Sequence, residues 1–196
     1  MRLVQVSEIS QEIINNFSCT QNEYTNPALL EQHEKIDRFF REKAYIYHQQ
    51  NIVRTHVLLD TDNRIIGFFS LFNEEIRFTG SQKKSLRYKQ QMKLFEDEER
   101  VSDLIFPAIR LHYLALNKDF QGIKCKDLKY SDILMGYLFK YIAIISELSG
   151  ATFIFLESTE NAVEFYKNYD FISIQNKQVS GYENMIFRIS GLSANT

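Results

Sequence analysis

Three side chains in the middle and second half of the chain are of types that move protons: His112, Glu157 and Tyr166. An imidazole titrates near neutral pH and suits a general base, and a carboxylate can do the same work where it faces an amine. A phenol, with an ordinary pKa of about 10, is a suitable acid toward a thiolate. Each also has a structural reading that the sequence leaves open. His112 interrupts an apolar run, where a hydrogen-bonded core histidine is common. Glu157 closes the apolar run ATFIFL, where a carboxylate often caps the next helix. Tyr166 adjoins Phe165 and would serve as a core aromatic. A second group, Lys124, Lys126 and Lys129 followed by Ser131 and Asp132, precedes a long helical stripe. Unpaired N–H groups at a helix start favour an anion, and lysines add charge beside it, with Ser131 as the expected cap. Cys125, among these lysines, has no evident His or Asp partner and is read as incidental.

The elements that must position these groups lie between residues 108 and 171. Only Arg110, His112 and Tyr113 interrupt the apolar run at 109–116, which predicts a strand buried on most of both faces. From Ile133 the apolar residues recur at helical spacing through Leu148, and Ser149-Gly150 supplies a stop signal. Residues 151–156 read as a second buried strand, so strand, helix and strand form a βαβ unit with parallel strands. Ligands bind at loops leaving the carboxyl ends of such strands. Residues 159–168 predict a short helix, and 171–174 with 185–189 a closing antiparallel pair around Ser180-Gly181.

Upstream, residues 2–6 alternate as a strand. Asn26-Pro27 opens one or two amphipathic helices over 27–49. Residues 52–59 and 64–72 form a hairpin around the turn residues 60–63. Residues 73–107 differ in character: Lys83, Lys84, Arg87, Lys89 and Lys93 give a basic stretch, and Glu96–Glu99 an acidic one. A solvated helix or insertion is the plain reading, and a surface for a phosphorylated or polynucleotide substrate the sharper one.

With 196 residues, 44% hydrophobic and 24% charged, the sequence fits one globular domain, read as residues 1–190 with an insertion at about 75–105 and a frayed tail at 191–196. A net charge of −2 argues against a dedicated nucleic-acid binder. The two cysteines, Cys19 and Cys125, form no CxxC pair, and His33, His48 and His56 show no ligand spacing, so no metal or disulfide is expected. No apolar run approaches the roughly 20 residues that span a bilayer, and a cytoplasmic protein is expected.

The predicted element order, with three stretches in it, resembles the GNAT family of acetyl-CoA-dependent N-acetyltransferases. RIIGFFSL at 64–71 looks like the family's third strand, LHYLALNKDF at 111–120 like its fourth strand and exit, and AVEFYKNYDF at 162–171 like its "A--FYek-GF" signature. The resemblance covers nearly the whole chain from about residue 27, and FFREKA at 39–44 looks closest to a toxin-like, mobile-element branch of bacterial proteins. It implies an α/β fold with a central mixed, twisted sheet and helices on both faces. It also implies splayed fourth and fifth strands, with the pantetheine arm of acetyl-CoA bonded to main-chain groups of Leu114, Leu116 and Asn117. The pyrophosphate would lie at the amino end of the long helix, near Gln121, Gly122, Lys124, Lys129, Ser131 and Asp132. Asn161 would bond to the CoA region by the same likeness.

Tyr166 matches the family's tyrosine that protonates the leaving thiolate, and His112 and Glu157 occupy places where the family puts a base. The chain departs from the family in two places. Residues 123–130 replace the second glycine of the phosphate loop, and Asp170 replaces the turn glycine of the signature, a position Asp tolerates. The expected activity is direct transfer of an acetyl group from acetyl-CoA to a primary amine in a ternary complex. The alternatives are a catalytically weak binder of acyl-CoA or a protein, and a toxin that acetylates aminoacyl-tRNA. Expected partners are acetyl-CoA and an amine acceptor, with nucleic acid only as a tRNA substrate, no membrane, and room for a homodimer.

Overall fold

The computed structural model describes residues 1–21, 26–80, 82, 104–174 and 181–192. The basic and acidic stretches at 83–99 lie outside the described residues. In chain order the elements are β1 (Arg2–Gln5), α1 (Gln11–Asn15), α2 (Pro27–Arg38), α3 (Ala44–Gln49), β2 (Arg54–Leu59), β3 (Ile65–Phe78) and β4 (Leu104–Leu116). They continue with β5 (Lys124–Cys125), β6 (Leu128–Lys129), α4 (Tyr130–Ser149), β7 (Phe153–Thr159), α5 (Val163–Lys167), β8 (Ile172–Ser173) and β9 (Tyr182–Arg188). The main sheet runs in the order β1-β2-β3-β4-β7-β9-β8, and β5 pairs with β6 in a separate two-stranded sheet. β4 and β7 are parallel, with Ala108 opposite Phe153, and β1–β2, β2–β3, β7–β9 and β8–β9 are antiparallel. The expected βαβ unit is therefore present. No helix among the described residues is long and apolar enough to cross a membrane.

The chain divides into two compact units, one of Met1–Phe72 with Leu111–Tyr141, the other of Asn73–Arg110 with Ile142–Thr196. In the first unit, Asn26 caps α2 by accepting from the Ala28 N–H, and Pro27 takes the first turn. A wide π-turn at Phe39–Lys43 joins α2 to α3. It lets the consecutive Phe39 and Phe40 both turn inward, where they are buried with Phe17, Val57 and Phe68. The Phe40 and Phe68 rings stack at 4.3 Å. The β2–β3 hairpin closes on Asp60, whose Oδ1 accepts from the N–H groups of Asp62 and Arg64 at 2.9 Å each, while Asn63 takes a φ of 62°. In the second unit Ile76, Phe78, Ala108, Phe153, Ile174 and Ile186 form the core.

Several boundaries differ from expectation. β3 runs six residues past 72, because Ile76 and Phe78 alternate inward between exposed charges. β4 starts at Leu104 rather than 109. β7 continues to Thr159, so Glu157 lies within the strand instead of ending it. The expected helix over 159–168 is a 3₁₀ turn followed by the five residues of α5.

Candidate active site

In the first unit, the exit of β4 is built by side chains that turn back on the backbone. The Asn117 N–H donates to the Ile66 carbonyl at 2.9 Å, and its Oδ1 accepts from the Asp119 N–H at 3.2 Å, starting a 3₁₀ turn over Lys118–Phe120. The Gln121 Nε2 donates to the carbonyls of Cys19 at 2.9 Å and Leu116 at 3.1 Å. Of the expected pantetheine-binding groups, the Leu116 carbonyl and the Asn117 N–H thus already have internal partners. Leu114 and Leu116 are half-buried, and Asn117 is buried. Gly67 lies against this segment, where an added Cβ would stand 2.6 Å from the Ala115 carbonyl oxygen. The close approach explains the glycine in RIIGFFSL.

The loop that follows is folded. Gly122 turns at a φ of +74°, β5 and β6 pair with Lys124 opposite Lys129, and Lys126 takes the tight turn at a φ of 58°. The Tyr130 N–H donates to the Ile123 carbonyl at 3.2 Å, and the Tyr130 ring meets the Phe120 ring edge-on at 5.0 Å. Lys124, Lys126 and Lys129 are all exposed. Like charges directly opposite on paired strands repel, so the Lys124 and Lys129 ammonium groups would be relieved by an anion, while the exposed Asp127 of the same turn offsets part of the charge.

The expectation for Ser131 is corrected here. α4 starts at Tyr130, so Ser131 lies inside the first turn and does not cap it. Asp132 does the capping work instead, its Oδ2 accepting from the Lys129 N–H at 3.2 Å. The aromatic contact of Tyr130 with Phe120 lets the helix begin earlier than the apolar stripe suggests. An aspartate in the first turn suits the helix dipole and competes with any other anion there.

His112, on β4, is half-buried, with its ring 5.1 Å from Phe39, 5.6 Å from Phe72 and 4.1 Å from Tyr113.

In the second unit, Tyr166 sits in α5 and is buried, its ring edge-on to Phe165 at 5.2 Å and Phe171 at 5.4 Å. Burial pushes its hydroxyl pKa well above the ordinary value, so the phenol keeps its proton. Asp170 takes a φ of 64°, the left-handed turn the sequence allowed for, and the Phe171 N–H returns to the Tyr166 carbonyl at 3.2 Å. Glu157 pairs with Arg110 of β4, Oε2 to Nη2 at 2.9 Å. The same guanidinium reaches Glu74 of β3 at 3.3 Å and lies 4.4 Å over the Phe155 ring. The exposed Asn161 accepts from the Thr159 hydroxyl at 2.7 Å. Arg110 was not expected at the site, although a charge in a buried strand calls for a partner and Glu157 was the carboxylate at hand. Among the described residues, no group of three or more His, Cys, Asp or Glu side chains is placed to hold a metal ion.

No protein-family model matches the chain, and no curated protein does. Solved structures do. AtaT complexed with acetyl-methionyl-tRNAfMet aligns with a TM-score of 0.69 at 17% identity, over 97% of this chain and 96% of that one. A mutant AtaT toxin bound to the C-terminus of the antitoxin AtaR and acetyl-CoA aligns at 0.64 and 15%, over 97% and 94%. A tyrosine-to-phenylalanine mutant of KacT aligns at 0.67 and 18%, over 98% of both chains. With its mixed, mostly antiparallel central sheet and likeness of backbone over nearly its full length, the chain has the GNAT acyltransferase fold.

Proposed function

We propose that the chain is an acetyl-CoA-dependent N-acetyltransferase whose acceptor is a primary amine, and that this amine is the α-amino group of an aminoacyl-tRNA. The observation that carries the transferase reading is the placement of Tyr166 on α5, within the AVEFYKNYDF segment of a GNAT-type fold. The likeness to AtaT, solved with acetyl-methionyl-tRNAfMet, supports the choice of acceptor.

Transfer requires three things of the chain's residues. The acceptor must lose a proton, and His112 or Glu157 takes it, directly or through water. The amine nitrogen then attacks the thioester carbonyl carbon, a C–N bond forms, and the C–S bond breaks. The departing thiolate receives the Tyr166 phenolic proton, the second proton that the nitrogen sheds on becoming an amide restores the phenol, and the first leaves through the base to solvent. Lys124, Lys126 and Lys129 hold the phosphates as point charges, since the loop lacks the second glycine that would bring backbone N–H groups close. Main-chain groups near Leu114 remain the candidates for the pantetheine.

The test is labelled acetyl transfer from acetyl-CoA to a charged tRNA pool, with wild type and Tyr166→Phe side by side. Wild type is expected to label the aminoacyl ester, and the variant to lose about 10²–10⁴-fold in rate, the usual worth of a positioned acid. Absence of label with every charged tRNA would remove the acceptor assignment. A second reading, a binder of acyl-CoA without transfer, is favoured by the Asp132 carboxylate at the start of α4. It predicts acetyl-CoA binding with no product from any amine.

A further inference from the structure

A buried carboxylate in the first unit has no part in the chemistry above. Asp37, in α2, is 2% exposed. Its Oδ2 accepts from the hydroxyls of Ser18 at 2.7 Å and Thr20 at 2.8 Å, and its Oδ1 accepts from the Cys19 N–H at 2.7 Å. Arg41, one turn on, lies 3.6 Å from the same carboxylate. Burial opposes the charge, but the hydrogen bonds from Cys19, Ser18 and Thr20 more than offset it and hold the carboxyl below its ordinary range. Burying a charge is costly, and an apolar pair often packs as well, so such a group is better explained by the geometry it enforces.

That geometry leads to the exit of β4. The clamped segment is also held through the carbonyls of Ser18 and Cys19, the latter shared with His33 Nδ1 of α2 at 3.3 Å. The Ser18 carbonyl accepts from the Lys118 N–H at 2.8 Å, and the Cys19 carbonyl from the Gln121 Nε2 at 2.9 Å. Gln121 in turn holds the Leu116 carbonyl at 3.1 Å. The Cys19 thiol, donating to the His33 carbonyl at 3.7 Å, ties the same segment to α2 a second time. A continuous path of hydrogen bonds thus runs from one helix carboxylate to the turn that opens the lysine hairpin.

We propose that Asp37 is a positioning residue for acetyl-CoA, fixing residues 117–122 at the exit of β4 through Ser18, Cys19 and Thr20; this rests on the transferase reading above. Asp37 touches no reacting atom. Loosening it alters how tightly acetyl-CoA is held and leaves the chemical step alone.

The experiment compares wild type, Asp37→Asn and a control, Ile14→Val, which trims one buried side chain of the same core cluster and removes none of these hydrogen bonds. Calorimetry with acetyl-CoA, steady-state kinetics and amide exchange at Lys118 are read at a temperature where all three are folded. Asp37→Asn is expected to raise the acetyl-CoA Kd and KM about tenfold, the scale of one hydrogen bond to a charged group. It should change kcat less than about twofold and speed Lys118 exchange about tenfold or more. Ile14→Val should shift none of these. If Asp37→Asn does not fold, Ser18→Ala with Thr20→Val removes two of the three donors and should move the readouts the same way by less. Changes in Kd and exchange no larger than the control's overturn the proposal. Wild type that fails to bind millimolar acetyl-CoA sinks the transferase reading and the positioning role with it. Lys118 exchange then still decides whether the anchor itself exists.

Discussion

Acidification below pH 6.5 should destabilise this protein through His56. The His56 side chain is buried, with its ring 5.2 Å from Phe69 and 4.4 Å from Tyr141 and its Nδ1 without a hydrogen-bond partner. Burial, then the nearby His48 and Arg54 charges, push its pKa from 6.5 down to about 4. The unfolded chain takes up this proton below pH 6.5 and the folded chain only near pH 4, so stability is full above 6.5 and falls across that interval. At about 1.4 kcal/mol per pH unit the loss reaches about 3 kcal/mol. His48, also lowered by burial and Arg54, acts in the same direction, so removing His56 alone reduces the slope without flattening it. Asp37 and Asp60, held below 3.8, add their own losses only at lower pH.

The perturbation is His56→Phe, which keeps an aromatic ring between Phe69 and Tyr141 and removes the titrating nitrogen. Urea unfolding at pH 7.5, 6 and 4.5 should show wild type losing about 2–3 kcal/mol more than the variant over that range. Parallel losses in the two proteins would refute the assignment of a buried neutral imidazole.

Three further perturbations probe the site. Gly67→Ala places a Cβ 2.6 Å from the Ala115 carbonyl oxygen, so thermal unfolding should show a loss of about 1–3 kcal/mol, and acetyl-CoA binding should weaken with it. Replacing Lys124, Lys126 and Lys129 together by glutamine should weaken acetyl-CoA binding in a salt-dependent way and leave the melting temperature within a few degrees, since all three are exposed. Arg110→Met leaves the Glu74 and Glu157 carboxylates without the guanidinium that pairs with both, and should cost about 1–3 kcal/mol in chemical denaturation.

The sequence made the larger elements legible because their periods are long enough to register. The 27–49 helix, the hairpin around Asp60 and the βαβ unit each carry a repeated apolar spacing or a turn residue with a fixed preference. β5 and β6, two residues each, are too short for any period, and their lysines read as a plain loop. The early start of α4 escaped because Tyr130 is fixed by its contact with Phe120, which no local pattern announces. Tyr166 as a candidate, and the left-handed turn at Asp170, were legible within one short segment. Asp37 was not, because its partners lie 17 to 19 residues away and a polar residue beside Ile36 on an amphipathic helix looks solvated. Glu157 was visible as a carboxylate, but its tie to Arg110 depends on strand pairing across the βαβ crossover.

The lysine hairpin carries a consequence for selectivity. Three flexible ammonium groups on a surface turn attract phosphate by charge, and charge alone does not distinguish coenzyme A from ATP or other nucleotides of similar valence. Abundant nucleotides would therefore compete at this end of the co-substrate, and more strongly when other salts are dilute. On the reading proposed above, discrimination falls to the thiol-bearing end, where coenzyme A has a pantetheine arm to lay along β4 and a simple nucleotide has none.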